Sequence, residues 1–432
     1  MNIIVNAITQ KAKHKPSLLT IERLCALYVV LWIFVPPIQI GALYRLIAVA
    51  CATVWFILVS VQNSEKTGKM ADFLRIALPC LFLLIIQAFP RFGFPGVIIR
   101  NLQFIIVLIC ALIGIYYSVN EPEFLKKIIC ISMLVMVIFS ITTIQGLIND
   151  PYASRVANVQ SMEDRFEGIK NVGLYGYIYM GVMLAPLLLF KIINRISFGK
   201  FFDFVSVILF LLFSVMTILS GYMIANFCFI LGCSLILIFN NPKNFSLKLV
   251  LLIVCAILFL LLYKAILSAA FEWLMDVFQD NPVYYSKLID FRALFLSGDA
   301  SGSNVEGRFS SYVRSIENAL HYPLIGSYLF GKDHGGGHSD VIDTIGRYGW
   351  LVAYLKFKIY WHLPYQTYKA TYKHFSLNAL VVVFILFGIF DPYSQEFCIA
   401  LYLFLPYILR CADGLASQND AYLKYLRREN TQ

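Results

Sequence analysis

Apolar runs long enough to cross a lipid bilayer recur along almost the entire chain. A membrane-spanning helix needs ~20 apolar residues. Runs of this kind cover residues 18–39, 41–62, 72–90, 95–118, 126–147, 172–192, 201–220, 222–240, 247–264, 341–362, 376–391 and 395–411. Only 14% of the 432 residues are charged, and the mean hydropathy is +0.74. The pattern predicts an all-α polytopic integral membrane protein with about 12 transmembrane helices and excludes a water-soluble enzyme.

Basic residues are concentrated in alternate segments between these runs. Lys66, Lys69, Lys126 and Lys127 lie in short segments that share one side of the membrane if the N-terminus is cytoplasmic. Because short cytoplasmic segments are enriched in Lys and Arg, both termini are predicted to be cytoplasmic. The net charge of +10 is spread over these segments instead of one basic face, so no nucleic-acid partner is expected.

Two outer segments, 148–171 and 265–346, are longer than simple connections. Residues 1–264 are predicted to hold transmembrane helices 1 to 9, with the short outer loop at 148–171. Residues 347–432 are predicted to hold helices 10 to 12 and a cytoplasmic C-terminal tail. The large outer loop, 265–346, is too long to be an unstructured connection, so we expect it to fold over the membrane surface or to contain a site.

The large outer loop is predicted to contain two amphipathic helices. Residues 266–278 are apolar but are interrupted by acids, which is typical of a helix lying in the membrane interface. Further along, apolar side chains recur at helical spacing, at Phe309, Tyr312, Val313, Ile316 and Leu320.

The densest polar cluster of the sequence ends the large outer loop. It runs from Lys332 to Arg347 and includes three consecutive glycines, 335–337, which could turn their amides toward a phosphate or form a flexible turn. His338 is the best candidate general base, because a neutral imidazole accepts a proton near neutral pH. His334 is an alternative base, and both histidines could instead be surface residues. A metal site at this spacing is only weakly indicated, and none is expected.

Arginines are unusually frequent in the outer segments. Guanidinium groups stay charged and bind phosphate oxygens in a bidentate way, so several converging arginines would suit a diphosphate. Ordinary ion pairs with nearby acids are the alternative for each of them. The arginines considered are Arg91, Arg100, Arg155, Arg165, Arg308, Arg314 and Arg347.

These residues together resemble the superfamily of O-antigen polymerases and O-antigen ligases, which assemble bacterial envelope glycans. The resemblance rests on Gly307 and Arg308 before an amphipathic helix, on Tyr322-Pro323-Leu324-Ile325-Gly326, on His338-Ser339 followed by Gly346 and Gly349, and on Arg165, Gly168 and Asn171 upstream. Members of the family often carry an arginine directly after a serine at an outer helix end. Here Ser220 is followed by Gly221 and Tyr222, so Arg100 or Arg165 is expected to fill that role.

The resemblance implies a glycosyltransferase of lipopolysaccharide biosynthesis in the bacterial inner membrane. It would join undecaprenyl-diphosphate-linked oligosaccharide repeat units on the periplasmic face, without a cofactor. His338 would be the general base, and the diphosphate would be bound by arginines chosen from Arg100, Arg165, Arg308, Arg314 and Arg347. Besides the bilayer, a polysaccharide chain-length regulator is an expected partner.

Two other functions remain open at this point. An O-antigen ligase has the same layout but transfers glycan to lipid A core. A flippase would also have many spans, but it is expected to have charges near mid-membrane and short outer loops.

Overall fold

The computed structural model describes residues 16–40, 42–62, 67–156, 171–240, 268–293, 304–332, 337–362 and 375–412. Of these residues 87% are helical, and none of them lies in a strand. The all-α class is therefore confirmed. The helices are α1 (Pro16–Phe34), α2 (Pro36–Ile40), α3 (Ala42–Gln62), α4 (Gly68–Asn120), α5 (Pro122–Asn149), α6 (Ala153–Val156), α7 (Tyr175–Ile193), α8 (Lys200–Leu219), α9 (Met223–Phe239), α10 (268–277), α11 (Pro282–Arg292), α12 (Asn304–His321), α13 (Asp340–Phe357), α14 (Phe375–Phe390) and α15 (Gln395–Ile399).

Six helices within the described ranges are long and apolar enough to cross a membrane. They are Leu43–Val61, Gly68–Ile98, Pro122–Asn149, Tyr175–Ile193, Lys200–Leu219 and Gln395–Ala412. Three shorter apolar helices, Phe104–Asn120, Met223–Phe239 and Ser376–Phe390, coincide with further predicted spans. The predicted span at 247–264 lies outside the described residues, and the total of about 12 spans stays a prediction.

Helix α4 is not one straight rod. A straight helix of 53 residues would be ~80 Å long, but Gly93 has φ 62° and ψ 178°, a backbone conformation open essentially only to glycine. Phe73 and Gly114, on opposite sides of this break, both contact Tyr402. The helix therefore folds back at Gly93, which agrees with the separate predicted spans 72–90 and 95–118.

Helix α13 is broken in the same way, and this corrects one predicted span. Residues 340 and 356 would be ~24 Å apart along a straight helix, yet the Lys356 Nζ lies 2.8 Å from Asp340 Oδ2. Gly349, at φ 80° and ψ 171°, lets the chain fold back between them. The predicted span at 341–362 is therefore not one continuous helix, and each of its two arms is much shorter than the ~30 Å bilayer core. The predicted domain boundary between 346 and 347 falls within the first arm.

A turn at residues 323–326 holds the break in α13. The Trp350 amide donates to the Pro323 carbonyl at 2.8 Å, and the Ser327 amide donates to the Gly346 carbonyl at 3.0 Å. A Cβ atom at Gly326 would overlap the Arg347 backbone, and one at Gly349 would overlap the Leu324 backbone. The two segments therefore interlock through glycines that leave no space for a side chain.

We expect Gly349→Ala to destabilise the protein. An alanine at this backbone conformation is strained by about 1–3 kcal/mol, and its Cβ must also displace the Leu324 carbonyl. The matched control is Gly68→Ala, because no atom lies within 4 Å of a Cβ at the first residue of α4. Thermal unfolding of the purified protein in detergent should show a clearly lower unfolding temperature for Gly349→Ala only. Equal unfolding temperatures for the two variants would contradict the interlocked turn.

Helix α12 packs against α13 with its polar face. Ser315 is only 3% exposed, whereas Leu320 on the opposite face is 75% exposed. A Cβ at Gly346 would lie 2.5 Å from the Ser315 carbonyl, so the two backbones approach closely there. The predicted amphipathic helix is present, and its serine-bearing face is the one that points into the protein.

Candidate active site

Asp343 joins three parts of the chain at the N-terminal end of α13. Its carboxyl group is buried, and its Oδ1 accepts a hydrogen bond of 2.7 Å from the Ser315 hydroxyl of α12. Its Oδ2 accepts from the backbone amides of Gly337 and Ser339. Since a buried carboxylate needs such donors, these bonds hold the turn at 337–339 against α12 and α13.

The turn that contains His338 is also fixed by side chains. Ser339 caps α13, because its Oγ accepts from the Ile342 amide at 2.9 Å, and the same hydroxyl donates to the Gly388 carbonyl at 3.0 Å. The Tyr312 hydroxyl lies 2.9 Å from the Phe390 carbonyl oxygen and 3.3 Å from that of His338, and it shares its single hydrogen between these two acceptors. The backbone on both sides of His338 is therefore anchored, and its imidazole is half-buried.

Arg347 lies one helical turn after Asp343. Its NH2 atom is 3.7 Å from Asp343 Oδ2, and its Cζ lies 5.7 Å from the centre of the Tyr328 ring. At 3.7 Å the ion pair is longer than a hydrogen bond, so the five N–H donors of this guanidinium are not used up by the carboxylate. Since the same Oδ2 binds the amides next to His338, the structure brings the backbone around the predicted base close to one predicted arginine, while His338 itself is not among the residues that line the cavity described next.

A polar cavity of about 240 Å³ opens beside this cluster. Both arms of α4 contribute to its wall, through Leu84 and Asn101, and Gly337 and Arg347 line it from the turn at 337–339 and from α13. The α4 hairpin reaches this position because Phe92, next to Gly93, packs its ring 5.2 Å from that of Tyr328.

Lys356 is a second cation in this cavity, and the sequence did not assign it to the site. Its Nζ binds both oxygens of Asp340, at 2.8 and 3.0 Å, and donates to the Thr344 hydroxyl at 3.0 Å. The one sequence signal that could have pointed to Lys356 is its position within an apolar run, because a lysine there needs an anionic partner. Its partner, Asp340, lies sixteen positions earlier in the chain. In a continuous helix only side chains three or four positions apart meet, so the contact depends on the break at Gly349.

An apolar groove of about 320 Å³ lies between α13 and α14, next to the polar cavity. Trp350, Tyr354 and Ile385 line it and are themselves partly exposed on the outside of the protein. Asp340 and Lys356 line both the groove and the cavity. The charged pocket therefore continues directly into an apolar surface that is open to the surroundings.

The other predicted site residues are placed differently. Arg314 is exposed on α12, and its Nε donates to the Ser310 carbonyl of the same helix at 3.2 Å, so it does not line the cavity. Positions 100 and 308 lie on α4 and α12, but their side chains are outside the described part of the structure. Arg165 and His334 also lie outside the described residues. Asn101, which follows Arg100, does line the cavity.

The fold and the cavity together define an α-helical membrane protein with a charged pocket beside an apolar groove. No protein-family model matches the chain, and no curated protein is significantly similar to it. Within the described ranges, no three His, Cys, Asp or Glu side chains come together as potential metal ligands.

Proposed function

We propose that this protein is an O-antigen polymerase, a glycosyltransferase that joins undecaprenyl-diphosphate-linked repeat units on the periplasmic face of the bacterial inner membrane. One observation carries the proposal: the polar cavity with Arg347 and Lys356 is continuous with the apolar groove. A polyprenyl diphosphate has a doubly charged phosphate head and an apolar tail. Arg347 offers N–H donors to the head, Lys356 adds a positive charge held by Asp340, and the groove offers an apolar surface to the first part of the tail.

In the proposed glycosyl transfer, the histidine and the two cations of the site have separate roles. A sugar hydroxyl of the incoming unit attacks the first carbon of the donor glycan and gives its proton to His338. The bond from that carbon to the diphosphate breaks, and its electron pair leaves with the diphosphate. Negative charge grows on the leaving group in this step, so fixed cations at Arg347 and Lys356 stabilise the transition state more than the ground state. Arg100, Arg165 and Arg308 remain proposed contacts to the same substrate.

The acids of the site keep these cations in position. Asp340 binds Lys356 through both oxygens, and Asp343 lies beside Arg347. A cation held by a carboxylate does not need to reorganise when the substrate arrives, which is the basis of electrostatic preorganisation.

The purified protein, tested in detergent with lipid-linked repeat units, provides the direct experiment. We expect a ladder of extended, lipid-linked chains. Addition of lipid A core should not divert the glycan, and a product attached only to the core would identify a ligase instead. Since detergent micelles enclose no compartment, a flippase would produce neither product. Absence of any glycosyl transfer would contradict the proposal.

A further inference from the structure

Asn101 places an unpaired hydrogen-bond acceptor in the wall of the polar cavity. It lies on the second arm of α4 and is only 4% exposed, and its Nδ2 donates to the Val97 carbonyl at 2.9 Å. Because only the nitrogen of the amide can donate, this bond fixes the orientation of the group and leaves Oδ1 as an acceptor. Within the described ranges, no group donates to this Oδ1. Unlike the unpaired Oε1 of Gln87 on the same helix, the atom is not sealed off from its surroundings.

Tyr360 adds a hydroxyl group of the same kind. It belongs to the π-helical turn Lys358–His362 that follows α13, is 5% exposed, and lines both the polar cavity and the apolar groove. Buried tyrosine hydroxyls usually find a partner, as that of Tyr393 does by donating to the Phe384 carbonyl at 2.9 Å. The Tyr360 hydroxyl forms no hydrogen bond with the part of the chain that the structure describes. A buried polar group without a protein partner is an exception that a ligand can explain.

The two groups lie on adjoining walls, next to a cation of the site. Phe104 follows Asn101 by one helical turn, and its ring centre lies 5.9 Å from that of Tyr360. The Lys356 Nζ lies 5.5 Å from the centre of the Tyr360 ring. An unpaired acceptor, an unpaired hydroxyl and the cations Arg347 and Lys356 therefore line one cavity.

The chemistry of these groups suits a sugar and does not suit another phosphate. The oxygens of a diphosphate accept hydrogen bonds, so they cannot satisfy the amide oxygen of Asn101, which also only accepts. A sugar hydroxyl both donates and accepts, so it can donate to Asn101 Oδ1 and bond to the Tyr360 hydroxyl. The Phe104 ring offers an apolar wall between them.

We infer that Asn101 and Tyr360 bind hydroxyl groups of the sugar that is attached directly to the donor diphosphate. The inference rests on the proposed function, because a diphosphate held by Arg347 and Lys356 places its first sugar ring beside these cations. The two residues then determine which donor is accepted. A site that hydrogen-bonds a ligand hydroxyl discriminates against a ligand that lacks it, because the polar groups of the site are left unpaired.

Binding of four lipids to the full-length protein in detergent tests the inference. The lipids are undecaprenyl diphosphate without a sugar and the same lipid carrying one glucose, one galactose or one N-acetylglucosamine. The wild type should bind at least one sugar-bearing lipid ~10-fold more tightly than the sugarless lipid. Tyr360→Phe and Asn101→Leu should each lower this ratio by about 3- to 10-fold, since one hydrogen bond is lost, and should leave the affinity for the sugarless lipid unchanged. Arg347→Gln should weaken the binding of all four lipids alike.

The chain offers matched controls for both substitutions. Tyr44→Phe removes an exposed hydroxyl from α3. Asn120→Leu removes, at the other end of α4, the same type of amide bond, here to the Tyr116 carbonyl at 3.0 Å. Both controls should keep the wild-type ratio, and unchanged unfolding temperatures should show that the variants fold. If Asn101→Leu does not fold, Tyr360→Phe decides the outcome, because it keeps the ring and its packing.

Failure of the inference and failure of the proposed function can be told apart. If Tyr360→Phe keeps the wild-type ratio while the wild type extends chains, the sugar site is wrong and the polymerase stands. Equal affinity of the wild type for all four lipids would also overturn the sugar site, since it would leave only water at these groups. If the ratio falls as expected but no glycan is transferred, the sugar site stands and the polymerase is wrong.

Discussion

His338→Ala is expected to lower the rate of chain extension by ~10²- to 10⁴-fold, the contribution typical of a well-placed general base. The sugar hydroxyl is a weak nucleophile until its proton is removed, and His338 lies in the turn whose neighbouring amides bind Asp343, the carboxylate beside Arg347. The backbone contacts that fix the turn, from Asp343 and Tyr312, do not depend on the imidazole. The variant should therefore fold normally and bind the lipid-linked donor.

The chain offers a matched control for this experiment. His321 is exposed at the end of α12, and its ring bonds to the Glu317 carbonyl of the same helix at 2.7 Å. We expect His321→Ala to extend chains at nearly the wild-type rate. Single-turnover extension of a lipid-linked repeat, measured for both variants, checks the prediction. Full-length chains from the His338→Ala protein would eliminate the assigned base.

Arg347→Ala is expected to reduce kcat/KM for extension by ~10²- to 10³-fold, as removal of one preorganised donor to a developing negative charge typically does. Arg347 lines the cavity and is only partly engaged by Asp343, so its N–H donors are available to the proposed diphosphate. Asp343 keeps its bonds from Ser315, Gly337 and Ser339 in this variant. The local fold should therefore survive.

Arg314→Ala is the matched arginine control, and we expect less than a twofold change from it. Its guanidinium is exposed and bonds to its own helix. Arg347→Lys should recover only part of the lost activity, because an ammonium keeps the charge but not the planar fork that binds two phosphate oxygens. Steady-state extension kinetics on the four proteins check this series. Similar losses for Arg314→Ala and Arg347→Ala would mean that the cavity is not the diphosphate site.

Much of the helical structure was predictable from local composition. The runs at 126–147 and 172–192 correspond to helices Pro122–Asn149 and Tyr175–Ile193, because about 20 consecutive apolar residues both form a helix and suit a bilayer. The amphipathic pattern from Phe309 to Leu320 likewise corresponds to α12. The polar cluster from Lys332 to Arg347 was predicted to contain the site, and its members Gly337, Ser339 and Arg347 do line one cavity, whereas the role of His338 stays a prediction.

The pairing of residues within the site was not predictable in the same way. Hydropathy measured over a window averages across a single glycine, so the reversal at Gly349 gave no signal within 341–362. That reversal is what brings Lys356 to Asp340. The periodicity of α12 also did not reveal which face would turn inward, because a helix in a membrane protein can bury its polar side and expose its apolar side to lipid.

The amino-acid sequence by itself determined the helical, membrane-spanning character of this protein, since hydrophobicity and helix length are properties of consecutive residues. It also determined which polar residues were available for chemistry. Only the tertiary structure decided which of them meet, as Arg347 and Lys356 do in one cavity. The physical reason is that such encounters depend on where the chain reverses and how helices pack, and each is settled by contacts between residues far apart in sequence.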